Sequence, residues 1–182
     1  MGVMNRRNLL LSTGALALAA NARAFAADGD GISKEAQALY RRAIVFDANL
    51  APTVNDHFPF PQAMIDEARN AGVTAMKTSL GGTDENFADT VEEIAYFQRI
   101  VEYYPDVFMQ IRVASDFARA KREKKVGVLL SFESADMFEG KVERIELFRN
   151  LGVRVMQMSY NKTSAWGSGV MANPPTGLTE LG

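Results

Sequence analysis

The chain has 182 residues, a formal net charge of −2 and no cysteine. This mildly acidic balance gives no reason to expect nucleic acid or an anionic membrane as a partner. Without cysteine there are no disulfides and no thiolate ligands, so any metal has to be held by His, Asp or Glu. Only one histidine, His57, is present.

Residues 1–26 have the pattern of a bacterial twin-arginine export signal. Arg6-Arg7 precedes the apolar run Leu9–Ala20, and Ala24-Phe25-Ala26 is a small-x-small cleavage site. The apolar run is too short to span a membrane, and a lipoprotein anchor would need a cysteine. We therefore expect a periplasmic or secreted protein without a membrane anchor after processing, with residues 27–182 as its domain. An ordinary secretory signal that happens to carry two arginines is the alternative.

Helices and strands are predicted to alternate along residues 27–182. Ser33 caps a first helix that runs to about Arg42, and a short apolar run then ends on Asp47 as the first strand. The later predicted elements are, in chain order, the helices Gln62–Asn70 and Asn86–Tyr103, the strand Val107–Val113, a helix capped by Ser115 or Asp116 and ending near Lys124, the strand Val126–Phe132, the helix Val142–Asn150 and the strand Val153–Met158.

An internal repeat supports this alternation. The segment Arg69–Ser79 recurs as Arg149–Ser159, 80 residues later. Each copy reads as a helix end, a glycine (Gly72 or Gly152) able to adopt the left-handed conformation, and the start of a strand. Such joints are typical of α/β proteins that return repeatedly to one parallel sheet.

The length limits the possible architectures. Residues 27–182 are too few for a closed eight-stranded barrel, which needs about 250 residues. A small open α/β sheet fits the length and is the alternative fold, although no Gly-rich phosphate-binding turn follows the first strand.

The most specific pattern lies in the last third of the chain. An almost unbroken apolar strand, Val126–Phe132, ends on Glu133, and Tyr160-Asn161, Gly167-Ser168-Gly169 and Gly177-Leu178-Thr179 follow after the next helix and strand. This ordered set resembles the membrane (renal) dipeptidases, a family of zinc-dependent barrel enzymes, in its bacterial branch. The resemblance implies the N-terminal half of a (β/α)8 barrel, whose full-length parent binds two zinc ions and hydrolyses dipeptides.

The resemblance also implies roles for individual residues. Glu133 matches the glutamate that bridges the two zinc ions. Tyr160 and Asn161 occupy the segment where mammalian-type members carry a catalytic histidine, and we expect their phenol and amide groups to bind and orient a substrate. Two positions depart from the family: Asn49 and Ala51 stand where a histidine and an aspartate bind zinc, although the preceding Asp47 is retained. Either the metal site is lost, or His57, a few residues further along the same loop, refills one position.

These departures leave three hypotheses open. In the first, the full-length parent is a zinc metallodipeptidase and this chain alone is inactive, with no catalytic residue assigned. In the second, the chain belongs to a relative with a degraded metal site that binds or tailors a peptide-like small molecule. In the third, it is a complete small α/β binding domain without catalysis.

Overall fold

The computed structural model describes residues 31–49, 58–82 and 86–182. The predicted export signal therefore lies outside the described residues, as do Ala51 and His57. The chain divides into two compact units, residues 1–43 and 44–182. In the first unit, helix α1 spans Lys34–Arg42, and the Ser33 hydroxyl accepts a hydrogen bond of 3.2 Å from the Ala36 N–H. This confirms the predicted N-cap.

The second unit alternates strands and helices as predicted, with shorter strands. Its strands are β1 (Phe46–Asp47), β2 (Ala75–Lys77), β3 (Phe108–Gln110), β4 (Val126–Leu129), β5 (Ser131–Phe132) and β6 (Val155–Met156). Its helices are α2 (Gln62–Asn70), α3 (Phe87–Tyr103), α4 (Ser115–Glu123), a 3-10 turn at Asp136–Phe138, and α5 (Glu143–Leu151).

The strands β4 and β5 form one central strand that is flanked on both sides by parallel neighbours. On one side lies β2, which pairs with β1 in turn and continues beside β5 through a bridge between Leu80 and Phe132. On the other side, β3 pairs with β4 and β6 pairs with β5. Apart from β3, strands that are neighbours in the sheet are also consecutive in the chain: β1, β2, the central strand and β6. This is the order found in a (β/α)8 barrel.

The two faces of this sheet carry different layers. Residues such as Val128 and Leu130 face the main core, where they pack with Ile65 of α2, Phe97 of α3 and Phe148 of α5. Thus the helices α2, α3 and α5 all cover the same face. A doubly wound open sheet has helices on both faces, whereas a barrel has them on its outer face. The helices α2, α3 and α5 follow the barrel arrangement, and α4 is the exception.

The opposite face, called here the inner face, carries a smaller cluster. Ala75 and Leu129 pack there with Ala120 of α4, against which Phe117 also packs. The ring of Phe117 meets that of Phe46 edge-on, with 5.3 Å between their centroids. Helix α4 therefore covers the inner face at the amino-terminal ends of the strands.

The predicted strand Val107–Val113 is present as β3. It borders only the first half of the central strand, and β6 borders the second half. One detail of the predicted elements is wrong. Neither Ser115 nor Asp116 caps α4: the N-cap is Ala114, without a side-chain bond. The Asp116 carboxylate instead accepts the N–H groups of Arg112 and Val113, because the chain turns sharply between β3 and α4.

The repeated joint is confirmed. Gly72 and Gly152 both have positive φ, at 72° and 112°, and each lies between a helix end and a strand. Among the described residues, no helix is both long enough and apolar enough to cross a membrane.

Candidate functional site

Polar side chains gather on the inner face toward the carboxyl ends of the strands. Alternation along each strand places Lys77 and Ser79 on the same face as Ala75, and Ser131 and Glu133 on the same face as Leu129. The inner face is thus apolar where α4 covers it and polar beyond. Because barrel enzymes hold their substrates at the carboxyl ends of the strands, this polar region is the candidate site.

The ammonium group of Lys77 lies next to the apolar part of the inner face. It lies 3.3 Å from the Ser131 hydroxyl, to which it donates a hydrogen bond across the two neighbouring strands. Ser131 is fully buried, and Lys77 is half-buried. No described carboxylate is in ion-pair contact with Lys77.

Glu133 stands directly after β5, where the sequence predicts it. Its backbone N–H donates to the Leu80 carbonyl at 3.0 Å, which continues the parallel ladder and fixes the direction of this residue. The side chain is half-buried. Within the described part of the chain, its carboxylate has no hydrogen bond or ion pair, so it is available to a ligand.

The end of β1 is connected to the end of β2 through polar groups. The Asp47 carboxylate accepts the Asn49 N–H at 3.0 Å, and the Ser79 hydroxyl donates to the Asn49 side-chain carbonyl at 3.3 Å. The first bond is a local Asx turn, so Asp47 shapes the loop. Asn49 thereby lies beside the candidate site, with its amide oxygen already in use.

The predicted substrate residues Tyr160 and Asn161 follow β6 in a loop. Their backbone carbonyls accept the N–H groups of Val170 and Met171, at 2.8 and 3.0 Å, which folds the later segment back onto them. Their side chains have no hydrogen bonds to other described residues. The prediction that they bind substrate stays a prediction.

Trp166, in the same loop, belongs to the core. It is 2% exposed, and its ring meets that of Phe138 edge-on at 5.6 Å between centroids. Its indole ring therefore contributes to core packing.

Three residues of the candidate site, Lys77, Ser79 and Ser131, were not predicted from the sequence. A signal was present: Lys77 follows the buried residues Ala75 and Met76 directly, and a charge in such a strand is unusual unless it serves a partner or a ligand. Its hydrogen-bond partner was not readable, because Ser131 lies 54 residues away along the chain.

The fold and the site together define a parallel α/β protein of barrel type with a polar site at the carboxyl ends of its strands. Residues 33–182 match the family model of the membrane dipeptidases, peptidase family M19. The chain belongs to this family, which is a family of metallopeptidases. The fold class predicted from the sequence, the N-terminal half of a (β/α)8 barrel, is confirmed by the comparison with solved structures.

Three solved structures are similar to this chain. An amidohydrolase from Pseudomonas aeruginosa matches with a TM-score of 0.71 and 27% identity, over 80% of this chain and 42% of that one. The probable dipeptidase PvdM from Pseudomonas aeruginosa matches with a TM-score of 0.65 and 17% identity, over 82% and 44%. A metallo peptidase from Rhodobacter sphaeroides, liganded with a phosphinate mimic of the dipeptide L-Ala-D-Ala, gives 0.51 and 18%, over 93% and 50%.

The coverage values show that the chain spans about half the length of these relatives. The identities of the second and third relatives are low enough that they indicate the fold alone.

The described residues do not by themselves fit the metal centre that the family implies. Among them, no three His, Asp or Glu side chains lie close enough together to hold a metal ion. Glu133 is one carboxylate, the Asn49 amide is a poor ligand for zinc, and Lys77 places a positive charge on the same face. A structural or catalytic zinc site takes three or four protein ligands.

Proposed function

We propose that the protein is a dipeptidase-like metallopeptidase that hydrolyses dipeptides, and that Glu133 is the carboxylate which this chain contributes to its metal site. The proposal rests on one observation: Glu133 emerges from the central strand onto the inner face with no partner among the described residues. Family membership, and the dipeptide mimic bound to the Rhodobacter sphaeroides relative, support the choice of dipeptides as substrates.

The chain's own residues would bind and orient the substrate. Lys77 and Ser131 provide donors deep in the site, and Glu133 provides a negative charge nearer the mouth. Helix α4 closes the amino-terminal end of the inner face and keeps water out from that side. We propose that Tyr160 and Asn161 contact the ligand from the loop after β6, where their side chains are free of other described partners.

The test uses zinc titration and dipeptide hydrolysis on the purified chain, with Glu133→Gln as the variant. We expect weak zinc binding that falls at least tenfold in the variant, because a neutral amide replaces the carboxylate ligand. We also expect no turnover by this chain alone, since one carboxylate does not hold zinc against water. Glu102→Gln, at an exposed position on α3, is the matched control and should bind zinc like the wild type.

One result would contradict this proposal: zinc binding unchanged in Glu133→Gln would remove Glu133 from the metal site. Stoichiometric zinc with turnover that the variant abolishes would contradict only the expected inactivity of this chain alone, and would indicate further ligands from residues 50–57 such as His57.

The second candidate function is peptide binding without a metal. Asn49, in place of the family's histidine, favours it, because its amide oxygen accepts a hydrogen bond from Ser79 and an amide is a poor ligand for zinc. This function predicts that a dipeptide binds equally well with and without a chelator. The metallopeptidase proposal predicts weaker binding in the chelator.

Residues 1–26 support a proposal on localisation. We propose that Arg6-Arg7 and the apolar run Leu9–Ala20 direct the protein through the twin-arginine route to the periplasm, with cleavage after Ala26.

A further inference from the structure

The inner face carries the positively charged ammonium group of Lys77, and a ligand of the site has to meet this charge. Lys77 lies on β2 where the apolar part of the inner face, formed by Ala75 and Leu129, gives way to the polar part. Helix α4 covers the apolar part through Phe117 and Ala120. Lys77 is therefore the charged group at the closed end of the site.

The ammonium of Lys77 has unused bonding capacity. A lysine ammonium has three N–H donors, and the described residues accept one of them, through the Ser131 hydroxyl at 3.3 Å. The Ser131 backbone N–H is bound to the Thr78 hydroxyl at 3.1 Å, so Ser131 itself is fixed in place. Lys77 is thus held by a rigid strand and still has donors to offer to an anion.

Among the residues that the structure describes, the other groups around Lys77 do not neutralise it. Ser131, Ser79 and Asn49 are uncharged, and Glu133 is not in ion-pair contact with the ammonium. Half-buried charges without a counter-ion are unfavourable. A negatively charged group of a ligand would supply the missing charge.

The spacing along the central strand fits a dipeptide. Glu133 is two residues beyond Ser131 on the same face, which corresponds to about 6.6 Å in a parallel strand. An extended peptide of two residues spans about 7 Å. A dipeptide whose carboxylate meets Lys77 would therefore place its amino end at the level of Glu133.

We propose that Lys77, positioned by Ser131, binds the free C-terminal carboxylate of the dipeptide. This inference rests on the proposed function and adds how the ligand is oriented: the carboxylate enters first, toward the end closed by α4, and the amino end lies nearer to Glu133. A longer peptide enters in the same direction, whereas a peptide with a blocked C-terminus loses the ion pair.

The test compares a dialanine dipeptide with its C-terminal amide by isothermal titration calorimetry on the purified chain in a chelator. We expect the wild type to prefer the free carboxylate by about tenfold or more, as for a charge-assisted hydrogen bond. Lys77→Met should reduce this preference to about one, and Lys77→Arg should retain part of it. Lys141→Met, at an exposed position, is the control and should keep the full preference.

The ratio of the two affinities separates a role in binding from a role in folding. A loss of stability changes the affinity for both ligands together, and a thermal melt of each variant records it. If Lys77→Met keeps the preference for the free carboxylate, the inference is wrong and the proposed function stands. If the wild type binds neither ligand, in the chelator or with zinc added, both the inference and dipeptide binding by this chain are wrong.

Discussion

At the scale of single residues, Asp116 shows how one carboxylate can hold a chain turn. Burial raises the cost of its ionisation, but the N–H groups of Arg112 and Val113, at 2.8 and 3.0 Å, and the charge of Arg119 outweigh that cost. The pKa of Asp116 is therefore lowered from its ordinary value. A lowered pKa in the folded state means that ionised Asp116 stabilises the fold.

This stabilisation depends on pH in a defined direction. It is fully present above the pKa of an unfolded aspartate, about 3.9, and it is lost as the pH falls through the lower pKa of the folded state. We expect Asp116→Asn to reduce the free energy of unfolding by about 1–3 kcal/mol at pH 7. At pH 3 the difference from the wild type should be smaller, because the carboxyl group of the unfolded chain is then largely protonated, whereas the folded chain binds that proton less readily.

Urea unfolding at the two pH values measures both differences. Asp106→Asn, at an exposed position before β3, is the control and should stay within about 0.5 kcal/mol of the wild type. An equal or larger difference between Asp116→Asn and the wild type at pH 3 would contradict the role given to the ionised carboxylate.

At the scale of elements, the joint between α5 and β6 depends on a glycine for two reasons. Gly152 has φ of 112°, which disfavours other residues, and a Cβ there would overlap Gln110 Nε2 and lie 3.3 Å from Arg112 Nη2. Gly177 also has a positive φ, of 73°, but a Cβ there would meet nothing within 4 Å. Comparing substitutions at the two glycines therefore separates the effect of backbone strain on stability from the effect of steric overlap.

We expect Gly152→Ala to lower the free energy of unfolding by about 2–4 kcal/mol, from strain and overpacking together. Gly177→Ala should lower it by about 1 kcal/mol, from strain alone. Thermal or urea unfolding of the two variants measures the difference between them. Equal losses would show that Gln110 moves aside without cost and that the close approach is unimportant.

The placement of β3 is a property of elements that the sequence did not reveal. Its first two residues, Phe108 and Met109, are apolar and buried, as in a barrel strand. The chain then turns at Arg112 and sends α4 to the inner face, while the helices α2, α3 and α5 remain on the outer face. A local pattern predicts that a strand forms, but the neighbouring elements decide where it pairs.

At the scale of the whole molecule, the testable question is where the protein is located. We expect replacement of both Arg6 and Arg7 with lysine to leave the precursor in the cytoplasm, because the twin-arginine route reads the arginine pair itself. Cell fractionation and immunoblotting measure the distribution, and Arg23→Lys, outside the pair, is the control. Unchanged export of the double variant would favour the general secretory route instead.

Features that depend on neighbouring residues along the chain could be predicted from the sequence. Backbone geometry and periodicity act over a few residues, so the cap at Ser33, the bounds of α2 and the positive φ at Gly72 and Gly152 were all predictable. The long apolar strand before Glu133 likewise indicated a buried parallel strand that ends on an acid. Family-level motifs then extended these local patterns to a barrel fold.

Only the tertiary structure decided which distant residues meet. Lys77 and Ser131 are 54 residues apart in the chain and 3.3 Å apart in space, because β2 pairs with the central strand in one particular register. The bonds of Asp116 and the position of β3 likewise depend on where other elements pack. Pairing between distant strands is settled by burial of the whole sheet, and no local pattern carries that information.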